Sequence, residues 1–232
     1  MKSYWWRVNG VVMHSHIPTT ADVRIAFCYC DRLCTDGDRH PSTVHLSMPS
    51  FQKPTKDQIQ AAYGKTVPDI IAPNLNVLLC GINPSIYSAA VGHHFARPGN
   101  RLWKALHAGG FTPHVFHPSD DQDLLLLGIG MTNICDRATA RADELSTDDL
   151  RAGRQALEAK VKLYQPKVLA ILGISAYRTA FQHPKAVMGR QEEPLHDAVL
   201  WILPNPSGLN AHYQLADLAK VYGELRQAFE LG

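Results

Sequence analysis

The sequence predicts an α/β fold of three layers, a central four-stranded parallel sheet flanked by helices. Three observations predict it. Four short apolar runs are spread along the chain, none shows the polar alternation of a half-exposed strand, and a stretch with helical periodicity follows each of them. Uninterrupted apolar strands need cover on both faces, and intervening helices supply that cover.

The elements follow in order. Residues 1–54 carry histidines, three clustered cysteines and scattered Thr and Asp without sustained periodicity, and are expected to be an N-terminal extension. Met48, followed by PSFQKPTKDQIQ, is an expected start of translation. Residues 55–232 form the expected main domain, of a usual size for one α/β core. Its predicted strands are 76–80 (NVLLC), 128–133 (GIGMTN), 167–172 (KVLAIL) and 199–203 (VLWIL). Its predicted helices are 101–108, 148–164 behind a capping Ser/Thr/Asp cluster, 175–181 and 214–229. In such a fold ligands sit at the carboxyl ends of the strands.

Bulk properties narrow the classes. A formal net charge of +2 on 232 residues, 19% of them charged, gives no global basic signature, so any nucleic-acid footprint must be local. No apolar run approaches a membrane span, and the first residues lack a signal-peptide core, so the cytoplasm is the expected location. Cys80 and Cys135 sit in apolar stretches, which reads as reduced usage. Cys28, Cys30 and Cys34, with His40 or His45, could be read as zinc ligands. Their C-x-C-x3-C spacing is irregular, and no metal or cofactor is expected.

Two strands run directly into an Asn-Pro turn: 82–85 (INPS) after the first and 205–209 (NPSGL) after the last. Each proline biases the asparagine before it away from the helical region, so its amide is held at the strand end, where a ligand would lie. The first turn contains neither a G-x-G-x-x-G nor a Walker-type loop, which argues against a nucleotide-binding module.

With GINPS, then GHHFARPGNRLW, the 136–145 segment (DRATARADEL) and finally LPNPSGLN, the chain resembles the mismatch-specific uracil-DNA glycosylase (Mug) and thymine-DNA glycosylase family from about residue 67 to 229. The resemblance implies the uracil-DNA glycosylase fold and hydrolysis of the bond between uracil and deoxyribose in duplex DNA, mainly opposite guanine. Thymine or alkylated cytosine would be slower substrates. It implies double-stranded DNA as partner, no cofactor, and a monomer.

By the same resemblance Asn83 positions the attacking water. The backbone near Ile82 and Phe95 contacts the uracil carbonyls, and the Phe95 ring stacks on the everted base. Tyr87 and Ser88 wall the C5 edge, with Ser88 beside C5 if Tyr87 turns away. Asn205 lies near the base or the abasic sugar. His94, in a GHH segment similar to the thymine-DNA glycosylase branch, is a second catalytic candidate. Leu209 fills the gap left in the stack, Gly208 permits close backbone approach, Ser207 is available to a phosphate, and Asn210 belongs to the same DNA-contacting loop. Ser85 stands where the family commonly has glycine, and Ala211 follows the wedge loop where an arginine is common. Independently, Arg97, Asn100 and Arg101 border a predicted helix start, where basic groups and free N–H groups meet phosphate; Arg190 is a weaker candidate.

Overall fold

The computed structural model of the chain describes residues 2–8, 11–17 and 53–230. Its contacts divide the chain into two units, Met1–Met48 and Pro49–Gly232. In the first, β1 (Lys2–Val8) and β2 (Val11–Ile17) pair antiparallel, from Lys2 opposite Ile17 to Val8 opposite Val11. This hairpin is an addition to the sequence reading, which found no regular pattern there. Both strands are rich in β-branched and aromatic residues, and an Asn-Gly dipeptide separates them in sequence. The Cys28, Cys30 and Cys34 cluster with His40 and His45 lies outside the described residues.

The second unit contains, in order, α1 (Lys56–Gln60), β3 (Val77–Gly81), α2 (Ile86–Val91), α3 (Leu102–Ala108), β4 (Ile129–Asn133), α4 (Thr147–Tyr164), β5 (Val168–Leu172), α5 (Ile174–Ala180), β6 (Gly189–Arg190), β7 (Val199–Leu203) and α6 (Leu215–Glu230). Two 3₁₀ segments, Pro118–Leu127 and Ala142–Glu144, complete it. The predicted strands and helices are present within a residue or two of their expected bounds. The sheet runs β4-β3-β5-β7-β6, with the first four strands parallel and β6 a two-residue antiparallel edge. This short edge strand is one element beyond the four predicted.

Period-two alternation sorts the strand residues into two cores. Val77, Leu79, Met131, Ala170, Leu172 and Leu203 pack with Leu102, Leu106, Leu218 and Tyr222 of α3 and α6. On the other face Leu78, Cys80, Leu169, Ile171 and Ile202 pack with Leu157 and Val161 of α4 and with Ala176 and Tyr177 of α5. Every residue of β3, β4 and β5 is buried, which explains why their sequences carry no polar alternation. The α4 start is set by a capping box, in which the Ser146 side chain accepts from Asp149 N–H and the Asp149 side chain accepts from Ser146 N–H.

From β3 the chain steps to β4 on one side, then returns to β5 and β7 on the other. The crossovers therefore diverge between β3 and β5, which opens a crevice at the carboxyl ends of these strands.

Candidate active site

That crevice is a cleft of about 380 Å³ lined by groups from the ends of all four parallel strands: Asn83 after β3, Asn133 at the end of β4, Leu172 at the end of β5 and Asn205 after β7. Its volume suits a ligand the size of a nucleobase and its sugar.

Asn83 has the most constrained side chain in it. Its Nδ2 donates to the Arg137 carbonyl at 3.0 Å and to Thr139 Oγ1 at 2.7 Å. A carbonyl only accepts, so this pairing fixes which end of the amide is nitrogen. The Thr139 hydroxyl in turn donates to the Arg141 carbonyl at 2.7 Å, so it must accept from Asn83. Asn83 Oδ1 has no partner among the described residues and is left as an acceptor in the cleft. The backbone supports this arrangement: Thr139 N–H donates to Pro84 O and Ile86 N–H donates to Thr139 O. Ser85 caps α2 by accepting from Ser88 N–H at 3.1 Å.

Phe95 also lines the cleft, with a backbone φ of 50°, a left-handed conformation unusual for an aromatic residue. Strain of this kind persists only where the surroundings enforce it. Gly81 explains part of the fit: a Cβ there would overlap Asn133 Oδ1 and lie 2.9 Å from the tip of the Phe95 ring. Asn133 itself is 96% removed from solvent, yet its amide makes no hydrogen bond within the described chain. The Ile82 and Phe95 N–H groups likewise find no acceptor there. The Asn133 amide and these two backbone donors therefore stay unpaired among the described residues, all three belonging to residues that line the cleft.

The second turn is built with the opposite polarity. Asn205 Oδ1 accepts from Ser207 N–H at 2.9 Å, so its Nδ2 is the end left over. Asn210 closes the loop, its Nδ2 donating to the Asn205 carbonyl and its Oδ1 accepting from His212 N–H. At the tip Leu209 is 74% exposed.

Of the residues expected at the site, Ile82, Asn83, Ser88, His94, Phe95, Arg97, Asn100, Asn205, Ser207, Leu209 and Asn210 line the cleft. Three do not. Tyr87 is buried on α2 and turned away from the cleft, while Ser88, one residue on, lines it. Gly208 is exposed but packed closely on its neighbour loop, because a Cβ there would come 2.7 Å from the Gly99 carbonyl oxygen. The Arg101 guanidinium is spent on backbone: it donates to the carbonyls of Ser207, Tyr213 and, at 2.9 Å, Asn210. Asn100 uses its Oδ1 to accept from Leu102 N–H at the start of α3. Arg190 lies on the β6 edge and is not part of the lining.

His94 is buried, and its Nε2 lies 2.9 Å from the Pro68 carbonyl, so the proton sits on Nε2 and Nδ1 is the free acceptor. Burial pushes its pKa below the usual histidine value, against the upward pull of Pro68 and Asp121, so the ring is held neutral. Burial also pushes the Cys80 thiol far up and the Cys135 thiol up to about 11, which leaves neither as a nucleophile at neutral pH. Among the described residues no cluster of three His, Cys, Asp or Glu side chains could hold a metal ion.

Sequence reasoning missed Asn133, Thr139 and the 140–143 lip, where Arg141 pairs with Asp143, the one carboxylate in the lining. Asn133 carried a signal: it ends a predicted strand at the edge where ligands bind. Thr139 lay inside the 136–145 segment, but nothing in the sequence tied its hydroxyl to Asn83, 56 positions away.

The site is thus a cleft at the switch point of an open parallel sheet, lined by amides and an aromatic ring and without a phosphate-cradling glycine loop. Comparison gives the family: residues 68–226 match the model of the uracil DNA glycosylase superfamily, and the chain belongs to that superfamily. Members act on DNA as hydrolases of the glycosidic bond. A solution NMR structure of a candidate uracil DNA glycosylase from Methanosarcina acetivorans is similar at 17% identity, over 70% of this chain and 98% of that one, with a TM-score of 0.47.

Proposed function

We propose that the chain is a monofunctional, mismatch-specific uracil-DNA glycosylase of the Mug and thymine-DNA glycosylase branch. It everts uracil opposite guanine from duplex DNA, and thymine or alkylated cytosine more slowly, and hydrolyses the N-glycosidic bond to leave an abasic site. Residues 55–232 carry the activity, as a cytoplasmic monomer, with the preceding stretch as an extension.

The observation that carries this reading is the tethered Asn83 amide, whose nitrogen is bound on two sides and whose oxygen is open to the cleft. Hydrolysis passes through a cationic sugar, so the attacking water needs placement more than deprotonation. Asn83 Oδ1 accepts one hydrogen bond from that water and aims an oxygen lone pair at C1′. The C1′–O bond forms as the C1′–N1 bond breaks, its electron pair goes to the base, and the surplus water proton leaves to solvent. The departing anion develops charge on its carbonyl oxygens, which the unpaired Ile82 and Phe95 N–H groups are free to stabilise. Phe95 stacks on the base, and Asn133 can donate to O4 and accept from N3–H, a pairing specific to the uracil edge. Ser88, beside the base where Tyr87 is not, crowds the C5 position with a polar group that disfavours a methyl. Leu209 enters the stack in place of the lost base.

Single-turnover excision from duplexes carrying uracil or thymine opposite guanine, and uracil opposite adenine, tests the reading. Uracil opposite guanine should be cut fastest and thymine about tenfold or more slower, the scale on which a pocket discriminates one methyl group. Equal rates for uracil and thymine would remove the specificity, and no abasic product from any substrate would remove the activity.

A further inference from the structure

The wedge loop is fastened to the base-stacking segment at one point. Arg101 stands seven positions after the second histidine of the GHH segment and directly before α3. Its guanidinium donates to three backbone carbonyls of the loop after β7, those of Ser207, Asn210 and Tyr213. Its own N–H donates to the Pro206 carbonyl at 3.0 Å. Next to it, Gly208 sits against the Gly99 carbonyl so closely that no side chain fits. Among the described residues Arg101 has no carboxylate partner, and its Nε is buried with no acceptor. The cation is half-buried, and its buried Nε lacks an acceptor, a cost set against the three carbonyls that the fork gathers.

We propose that Arg101 is a positioning residue for base eversion: it holds the 205–213 loop in its DNA-ready shape before DNA arrives, so that Leu209 is presented to the stack without an ordering cost on binding. This rests on the proposed glycosylase activity but adds to it. Three carbonyls at spacings of three residues, 207, 210 and 213, can be gathered by one planar fork, and no other side chain offers donors in that geometry. A loop ordered in advance spends none of its binding free energy on ordering, and the gain falls on the step that inserts the wedge. The uncompensated charge beneath the loop also makes the face presented to phosphate more positive.

The role separates from a merely structural one by substrate. Uracil in single-stranded DNA has no stacked partner to replace, so it does not need the wedge; uracil in a duplex does. In R101Q, single-turnover excision from the duplex should fall about tenfold or more, the size expected for losing charge-assisted hydrogen bonds. Excision from a single strand should fall much less, so that the duplex-to-single-strand ratio drops. R101K keeps the charge without the fork and should recover only part of the ratio. Pairing R101Q with L209A on the duplex should cost little more than the worse single change, because both act on one step.

Equal losses on both substrates, or additive losses with L209A, would overturn the proposal. Amide hydrogen exchange across 207–213 in the DNA-free protein reads the clamp without activity: faster exchange in R101Q supports it, and unchanged exchange refutes it. If the wild-type protein excises uracil from neither substrate, the glycosylase reading fails while the exchange measurement still decides whether Arg101 orders the loop.

Discussion

Two Asn-Pro-Ser turns end parallel strands of the same sheet, and the structure uses them in opposite senses. At Asn83 the nitrogen is bound by a different segment, the Arg137 carbonyl and the Thr139 hydroxyl, and the oxygen is open. At Asn205 the oxygen is bound by its own loop, by Ser207 N–H, and the nitrogen is open. One turn therefore offers the cleft an acceptor held by long-range contacts, and the other offers donors held by local ones. An acceptor orients a water; donors grip an oxygen of a base or sugar. An identical sequence motif is thus no guide to polarity, which is set by the neighbours of each amide.

The largest effect should come from breaking this pair one member at a time. N83A removes the only amide acceptor proposed for the water and should lower single-turnover excision by about a thousandfold, comparable with losing a preorganised group that acts on the transition state. Affinity for uracil-containing duplex should stay near that of the wild type. N205A removes donors and also the cap on Ser207 N–H, so it should cost roughly tenfold and weaken duplex binding as well. The two effects are told apart by measuring excision and DNA affinity on the same preparations, and equal losses of rate in both variants would erase the contrast.

The comparison sharpens further at Thr139, which holds the Asn83 nitrogen but would touch neither water nor base. T139V keeps the shape and removes the hydroxyl, leaving the amide with one tether instead of two. Loss of its hydrogen bond to Arg141 O accompanies this. Misaimed water placement should reduce excision about tenfold or more with DNA affinity unchanged. T139S retains the hydroxyl and should recover most of the rate; failure of serine to recover it would assign the loss to packing of the buried side chain.

How much of this was legible follows the same division between local and long-range causes. The four parallel strands were legible because all-round burial writes itself as continuous apolar sequence, and α4 because Ser146 and Asp149 announce its start. Helix α2, six residues long, has too few turns to show a period, and β6, at two residues, has no pattern at all. In the site, Asn83, Asn205 and Phe95 were reached through strand-end turns and family resemblance. Arg101 was read as a phosphate contact because its sequence neighbours look like a helix start, whereas its partners lie 106 to 112 positions away. Asn133 was overlooked although it ends a strand, since it is not followed by proline. Hydrogen bonds between segments leave no trace in a single sequence.

The smallest expected effect concerns His94, which sits between the two turns in the cleft and is held by a contact unlike either. Its ring is buried and donates to Pro68 O, and burial keeps it neutral to a lower pH than the free side chain. The unfolded chain takes up a proton near the ordinary histidine value of about 6.5, while the folded chain does not until the pH falls further. Between those two points the unfolded state binds more protons, so stability is complete above about pH 6.5 and is lost as the pH drops through that window. Thermal midpoints measured from pH 8 to pH 5 should decline on the acid side, and H94Q, which keeps an amide donor for Pro68 without a titrating ring, should decline less over the same range. A midpoint that falls equally in both proteins would assign the acid sensitivity to other groups.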